Sequence, residues 1–234
     1  MKEYREAPPT EVLPVTRSKQ EARRNYDRLS GVYDYISGPF EHRHTEKAIE
    51  LLSPGEGDLV LEIGFGTGRG LNSIAGFVGA GTEVVGLDLS SGMTRRARLR
   101  LESAGFQNAC LCIADAAQIP YRIRVFNYAL VSFTLELFDT PEIPLVLAEI
   151  RRVLKPGGRI GMVCLSKESG TPPILKLYEW GHRMWPALMD CRPIYGGRFL
   201  TDAGFQIVEA ERPRMMGLPL EIVVAEKLGT KPAP

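Results

Sequence analysis

The apolar run Leu59-Val60-Leu61-Glu62-Ile63 leads into Gly64-Phe65-Gly66-Thr67-Gly68-Arg69-Gly70, with glycine at every second position. About twenty residues past that turn, Val84-Val85-Gly86-Leu87 ends in Asp88. A buried strand entering a glycine turn, then a second strand ending in a carboxylate, is the layout of a nucleotide crevice in an open parallel sheet. The strand must turn sharply into a helix while a ligand approaches the backbone. A side chain at Gly64 or Gly66 would block that approach. The first N–H groups of the following helix are left free to face the ligand.

The glycine spacing selects the kind of nucleotide. A dinucleotide fingerprint, G-x-G-x-x-G, needs its third glycine at Arg69 if counted from Gly64, or at Leu71 if counted from Gly66. The chain instead reads E-x-G-x-G-x-G from Glu62, which argues against a nicotinamide oxidoreductase.

The rest of the chain supplies the expected frame. Strands are predicted over 59–63, 82–87, 109–113, 126–132 and 159–165, separated by helices over 69–78, 90–104 and 141–154. That alternation indicates parallel βαβ units with helices on both faces. Two further strands, 205–211 and 221–227, are joined through Pro213 to Pro219 and suit an antiparallel hairpin. The fold expected is α/β, a Rossmann-like sheet of seven mostly parallel strands with an antiparallel C-terminal hairpin. Residues 1–16, with Pro8, Pro9 and Pro14, read as a flexible arm before one domain over 17–234. Within that domain, 17–52 reads as a helical lid that opens at Ser18 with Glu21 as a capping box. Residues 57–165 form the core and 201–228 the closing hairpin. Residues 166–200 are too long for a simple loop and read as a partly helical insertion on the substrate side.

Composition removes several function classes. With 29 basic and 28 acidic residues the net charge is +1, so no nucleic-acid partner is expected. No apolar run reaches the ~18 residues of a membrane span, and Met1 to Glu6 is charged rather than signal-like, so a cytoplasmic place is expected. Cys110 and Cys112 share one strand face without further ligands at metal spacing. Reduced thiols and no metal are the reading.

At these residues the chain resembles the class I S-adenosylmethionine-dependent methyltransferases. Glu62-Ile63-Gly64-Phe65-Gly66-Thr67-Gly68 is similar to their first motif. Gly86-Leu87-Asp88-Leu89-Ser90 resembles the second, whose acid holds both ribose hydroxyls. Ala114-Asp115-Ala116 resembles the turn that contacts adenine, and Phe126 to Phe138, including Ser132, resembles the strand lining the transfer site. Arg152-Val153-Leu154-Lys155-Pro156-Gly157-Gly158 resembles the entry to the fifth strand. The resemblance implies S-adenosyl-L-methionine as cofactor, with S-adenosyl-L-homocysteine as product.

The chemistry of the residues agrees. A sulfonium cofactor without phosphate needs no Walker lysine. Asp88 can accept one hydrogen bond from each ribose hydroxyl. Glu62 either orders the glycine loop or approaches the ligand's ammonium. Asp115 with Ala116 suits the adenine amino group, and Leu89 and Met93 either cover the base or pack as core.

Methyl transfer is an in-line displacement in which the protein aligns the reactants and excludes water. The acceptor site is expected where the lid, the end of the fourth strand and the insertion meet. Tyr26, Tyr33, Phe40, Phe133, Phe138, Tyr178, Trp180, Trp185 and Tyr195 gather there, which suits a small apolar or aromatic acceptor, unless they only pack the cap. The opening Tyr26-Asp27-Arg28-Leu29 … Tyr33-Asp34 resembles that of the ubiquinone/menaquinone C-methyltransferase branch, and also that of small phosphatidylethanolamine N-methyltransferases. It implies lid roles for Tyr26 and Tyr33. The sequence departs at Ser132-Phe133-Thr134-Leu135-Glu136, where the quinone branch carries an Arg-Asn pair. Candidate proton acceptors are His182, His42, His44 and Glu136. Arg192 is a candidate for an anionic substrate group or an ordinary ion pair. Quinol- or phenol-like acceptors are expected, with phospholipid or amine N-methylation, or a non-catalytic cofactor-binding module, as alternatives. Membrane contact is expected only for a lipid or quinone acceptor, and the chain is expected to be a monomer or homodimer.

Overall fold

The computed structural model describes residues 12–228, apart from 32, 37, 80, 169, 171 and 185–189. Most of the predicted arm therefore lies outside the described residues, as does Trp185. Residues 12–16, the end of that arm, lie against the body. Leu13 is buried, and Val15 donates its N–H to Asp139 Oδ1 at 3.2 Å.

The lid forms three helices, α1 (Lys19–Leu29), α2 (Tyr33–Ile36) and α3 (Gly38–Leu52). Ser18 and Glu21 form the expected capping box at the head of α1. The core then alternates as β1 (Val60–Ile63), α4 (Arg69–Val78), β2 (Val84–Asp88), α5 (Ser91–Ser103), β3 (Ala109–Ile113) and β4 (Phe126–Ser132). A 3₁₀ turn (Leu135–Leu137) precedes α6 (Ile143–Val153) and β5 (Leu154–Leu165). The insertion holds α7 (Pro173–Met184) and α8 (Gly196–Asp202), before β6 (Phe205–Glu211), β7 (Arg214–Met215) and β8 (Leu218–Lys227).

The sheet order is β3-β2-β1-β4-β5-β8-β6, with β7 paired only to β8. Strands β1 to β5 pair in parallel, and β8 runs antiparallel between β5 and β6. Two details differ from the sequence reading. The strand after α6 begins at Leu154, not Arg159, because Leu154 pairs with Phe126 before Lys155 to Gly158 bulge out and Arg159 pairs with Tyr128. The eighth strand, β7, is two residues folded back on the start of β8.

The all-buried pattern of β1 and the central burial of β8 follow from cover on both faces. One apolar cluster packs α6 and α8 on one face, including Val146, Ile150 and Leu200. The other packs α3, α4 and α5 on the opposite face, including Ile49, Leu71 and Ala97. Both layers leave the carboxyl ends of β1, β2 and β4 facing one large cavity roofed by the lid.

Candidate active site

The cofactor half is built by the turn after β1. Gly66 has φ +52°, and a side chain there would meet no protein atom within 4 Å, because it would point into the cavity. Its N–H instead donates to Asp88 Oδ2 at 2.9 Å, while Ser90 N–H donates to Asp88 Oδ1 at 2.8 Å. Burial raises the Asp88 carboxyl above its ordinary value, against the pull of these N–H groups. The Leu89 N–H bonds the same carboxyl, and the acceptor capacity that remains faces the cavity, where it suits a hydroxyl donor.

Glu62, at the end of β1, accepts the Leu71 N–H at the start of α4. Its side chain lies so close to α4 that a side chain on Gly70 would come within 2.1 Å of Glu62 Oε1. Burial, then the charge of Asp88, push Glu62 up to about 8. Its Oε2 is buried without a hydrogen-bond partner among the described residues. Loop ordering is thus observed, and one oxygen on the cavity wall remains for a cation. An unpartnered carboxylate oxygen, a hydroxyl acceptor and an open glycine backbone fit a cationic adenosyl ligand.

Phe65, Thr67, Leu89, Met93, Ala116 and Ser132 also line the cavity, as do Ile63 and Gly64. Met93 is 1% exposed, so it is wall and core at once. Ser132 Oγ lies 2.7 Å from Thr45 Oγ1 of α3. Asp115 lines the cavity, with Oδ1 accepting from Ala117 N–H at 2.9 Å and Oδ2 paired to Lys19 at 2.5 Å. Lys19 also pairs with Glu142. Gly68 instead sits at the N-terminal end of α4, close to Ala97.

The lid closes the cavity through charge. Asp34 accepts from Thr67 Oγ1 at 2.6 Å and Arg69 Nε at 3.0 Å, and pairs with Arg100. Tyr26 and Tyr33 stand with ring centroids 6.2 Å apart, both on the cavity wall. The Tyr26 hydroxyl donates to Asp190, which Arg17 also meets at 3.2 Å. Phe133 and Phe138 complete the aromatic lining, whereas Phe40, Tyr178, Trp180 and Tyr195 do not line the cavity.

Glu41, at the start of α3, is the site residue that sequence reasoning missed. It lines the cavity beside Tyr33, whose hydroxyl it accepts. Burial, then the charge of Asp190, raise it to about 7, with Tyr33 and Arg69 pulling the other way. Nothing in the run Glu41-His42-Arg43-His44 distinguishes it from an ordinary helix start. His42 also lines the cavity, with Nε2 3.3 Å from Glu46.

Two proposed proton acceptors stand elsewhere. Glu136 is fully buried, with Oε1 accepting from Leu165 N–H at 3.3 Å, and burial raises it to about 8. His182 is buried on α7, and neither residue is on the cavity wall. Arg192 binds no exposed anion site. It is fully buried, and its guanidinium donates to the carbonyls of Leu13 at 2.7 Å, Glu136 at 3.1 Å and Phe138, and to Thr140 Oγ1 at 2.9 Å.

Comparison with known proteins agrees with this geometry. Residues 60–158 match the family model described as a methyltransferase domain. The chain is 28% identical over 193 residues to nocamycin O-methyltransferase of Saccharothrix syringae, covering 82% of this chain and 63% of that protein. It is 28% identical over 176 residues to the demethylmenaquinone methyltransferase of Bacillus pumilus, covering 75% and 70%. The crystal structure of the cyclase SpnF superposes with a TM-score of 0.72 at 18% identity, covering 93% of this chain and 99% of that one, which shows a shared fold.

Proposed function

Since the chain belongs to the class I S-adenosylmethionine-dependent methyltransferases, we propose that it methylates a small, largely apolar acceptor carrying an ionisable hydroxyl, quinol- or phenol-like. The observation that carries this reading is the single cavity in which Glu62 and Asp88 face one end while Tyr26, Tyr33, Phe133 and Glu41 line the same space. Relatives named for O-methylation and for demethylmenaquinone support an acceptor of this kind.

The cofactor, when bound, supplies a methyl group on a sulfonium with a neutral thioether as leaving group. The protein's work is binding, alignment and dehydration. Asp88 would hold the ribose hydroxyls and Glu62 the ammonium. The aromatic wall would orient the acceptor ring, and the lid ion pairs exclude water. Glu41 would take the acceptor's hydroxyl proton. Its value of about 7 suits that role near neutral pH. The base must be ionised to act, so activity should rise with pH through about 7.

The acids gathered on the acceptor side, Glu41 with the charge of Asp190 beside it, favour one second reading, an amine acceptor. Because a cyclase shares the fold, only turnover separates transfer from cofactor binding alone. Calorimetry with S-adenosylmethionine, S-adenosylhomocysteine and NAD should give binding of the first two only. A panel of quinols, phenols and amines, read by mass spectrometry of the methylated product, should favour the hydroxyl-bearing compounds. Glu41→Gln is expected to lower kcat about 10²-fold at pH 7 and to remove the pH dependence near 7, with cofactor affinity within about twofold. An unchanged pH profile in that variant rejects Glu41 as the base.

A further inference from the structure

Helix α7 packs one face on the body and presents large apolar side chains to solvent on the other. On the inner face Leu175 and His182 are buried, the Tyr178 hydroxyl donates to the Cys191 carbonyl at 2.9 Å, and Glu179 pairs with buried Lys167 at 2.9 Å. At 100° per residue, Leu177, Trp180 and Met184 fall together on the opposite side. They are 66%, 52% and 56% exposed. Ile174, at the helix start, links this stripe to the β7–β8 turn, since a side chain on Gly217 would come within 2.8 Å of Ile174 Cδ1. Met216, in that turn, is 71% exposed. Single exposed apolar residues are ordinary, but several large ones on one helix face and the adjoining turn mark an interaction surface.

The exposed charges of α7 have one sign. Lys176 and Arg183, seven residues apart, lie exposed along one flank, and Arg214 lies exposed on the adjoining hairpin. The helix's acid, Glu179, is on the inner face and paired. No residue of α7 lines the cofactor cavity. Because α7 follows β5, it stands beyond the carboxyl edge of the sheet, the edge that bears the cavity.

We propose that the outer face of α7, continued by Met216, seats the protein on an anionic lipid surface. Leu177 and Met184 would enter the boundary between headgroups and acyl chains. Trp180 would sit at headgroup depth, and Lys176, Arg183 and Arg214 would meet lipid phosphates. No helix among the described residues is long and apolar enough to cross a membrane, so the contact is one of lying on the surface. The surface stands apart from the transfer site, so the proposal holds or fails independently of the methyl-transfer reading.

The test is flotation of the full chain, without cofactor or acceptor, on vesicles of phosphatidylcholine with phosphatidylglycerol and on vesicles of phosphatidylcholine alone. Binding is expected on the mixed vesicles, about tenfold weaker on the neutral ones, and weaker again at high salt. Leu177→Asp with Trp180→Asp should abolish it, and Lys176→Glu with Arg183→Glu should weaken it about tenfold. Thermal melting should be unchanged in Leu177→Asp alone, which should still weaken binding, and in the Lys176→Glu, Arg183→Glu variant, since those side chains are exposed. Absence of binding to the mixed vesicles overturns the proposal, as does equal binding by the Leu177→Asp, Trp180→Asp variant. So does a dimer in sedimentation velocity that this variant dissolves, because the face would then join two copies of the chain.

Discussion

Glu62 divides its two oxygens between structure and ligand. Its side chain holds the Leu71 N–H and with it the first turn of α4, while Oε2 has no hydrogen-bond partner among the described residues. Burial, then the charge of Asp88, raise the carboxyl to about 8, so at pH 7 it is mostly protonated. An ammonium seated beside it favours the ionised form. Binding of S-adenosylmethionine at pH 7 should therefore release close to one proton and tighten as the pH rises from 6 to 8. Calorimetry in buffers of different ionisation enthalpy measures that release. Glu62→Gln should abolish it, and an undiminished release in that variant would place the ammonium elsewhere. Glu62 and Asp88 are legible in the sequence because a glycine turn fixes the backbone on either side of it, so a carboxylate two residues before the first glycine has few places to go. Glu41 is not legible. Its role arises only because α3 enters the cavity beside Tyr33, and the spacing of residues along α3 does not encode that approach.

Among the elements, the lid is held to the core by side chains that double as helix caps. Asp27 of α1 accepts from Gly92 N–H at 2.8 Å and Ser90 Oγ at 2.7 Å, at the N-terminal end of α5. Ser90 in turn caps α5 by accepting from Met93 N–H at 3.1 Å. A carboxylate there also meets the positive end of the helix dipole. Burial pushes Asp27 up, but the bonds from Gly92, Ser90 and Ser91 together hold it below its ordinary value. A carboxyl lowered in the folded state contributes its stability fully above the ordinary value near 4 and loses it as the pH falls through the lower folded value. Asp27→Ala should speed amide exchange over α1 about tenfold at neutral pH, the scale of one lost cap, with β1 to β5 unaffected. The same loosening in the unmodified chain should begin only below about pH 4. Unchanged exchange in the variant would mean that the Lys19 and Asp34 pairs suffice to close the lid. The order of β1 to β5 and their helices is readable because each follows from local periodicity and turn residues. The bulge at Lys155 to Gly158 and the two-residue β7 are not, since strand pairing across the sheet decides both.

At the scale of the whole molecule, Arg192 joins three parts of the chain that no local signal connects. From the insertion it reaches the Leu13 carbonyl before the lid, the carbonyls of Glu136 and Phe138 after β4, and Thr140 Oγ1 before α6. Burial lowers its pKa, Asp139 and Glu136 raise it, and a guanidinium remains charged throughout. A sequence offers no mark for such a residue, because its partners are mostly backbone carbonyls, which every residue type carries. An arginine beside Asp190 and Cys191 reads equally well as an anion site. Removing it strands several buried acceptors at once, each costing on the order of 1–3 kcal/mol if no water replaces the lost donor. Arg192→Met keeps most of the volume and none of the donors. It should lower the unfolding free energy by about 3 kcal/mol and Tm by roughly 6–12 °C for a chain of this size. Arg192→Lys, with a point charge in place of the fork, should fall between the two. Phe138 and Leu137 line the cavity, so the methionine variant should also weaken acceptor binding more than cofactor binding. Differential scanning calorimetry checks the first expectation and paired titrations check the second. A methionine variant melting within about 1 °C of the parent would show that the three segments are held by apolar packing alone.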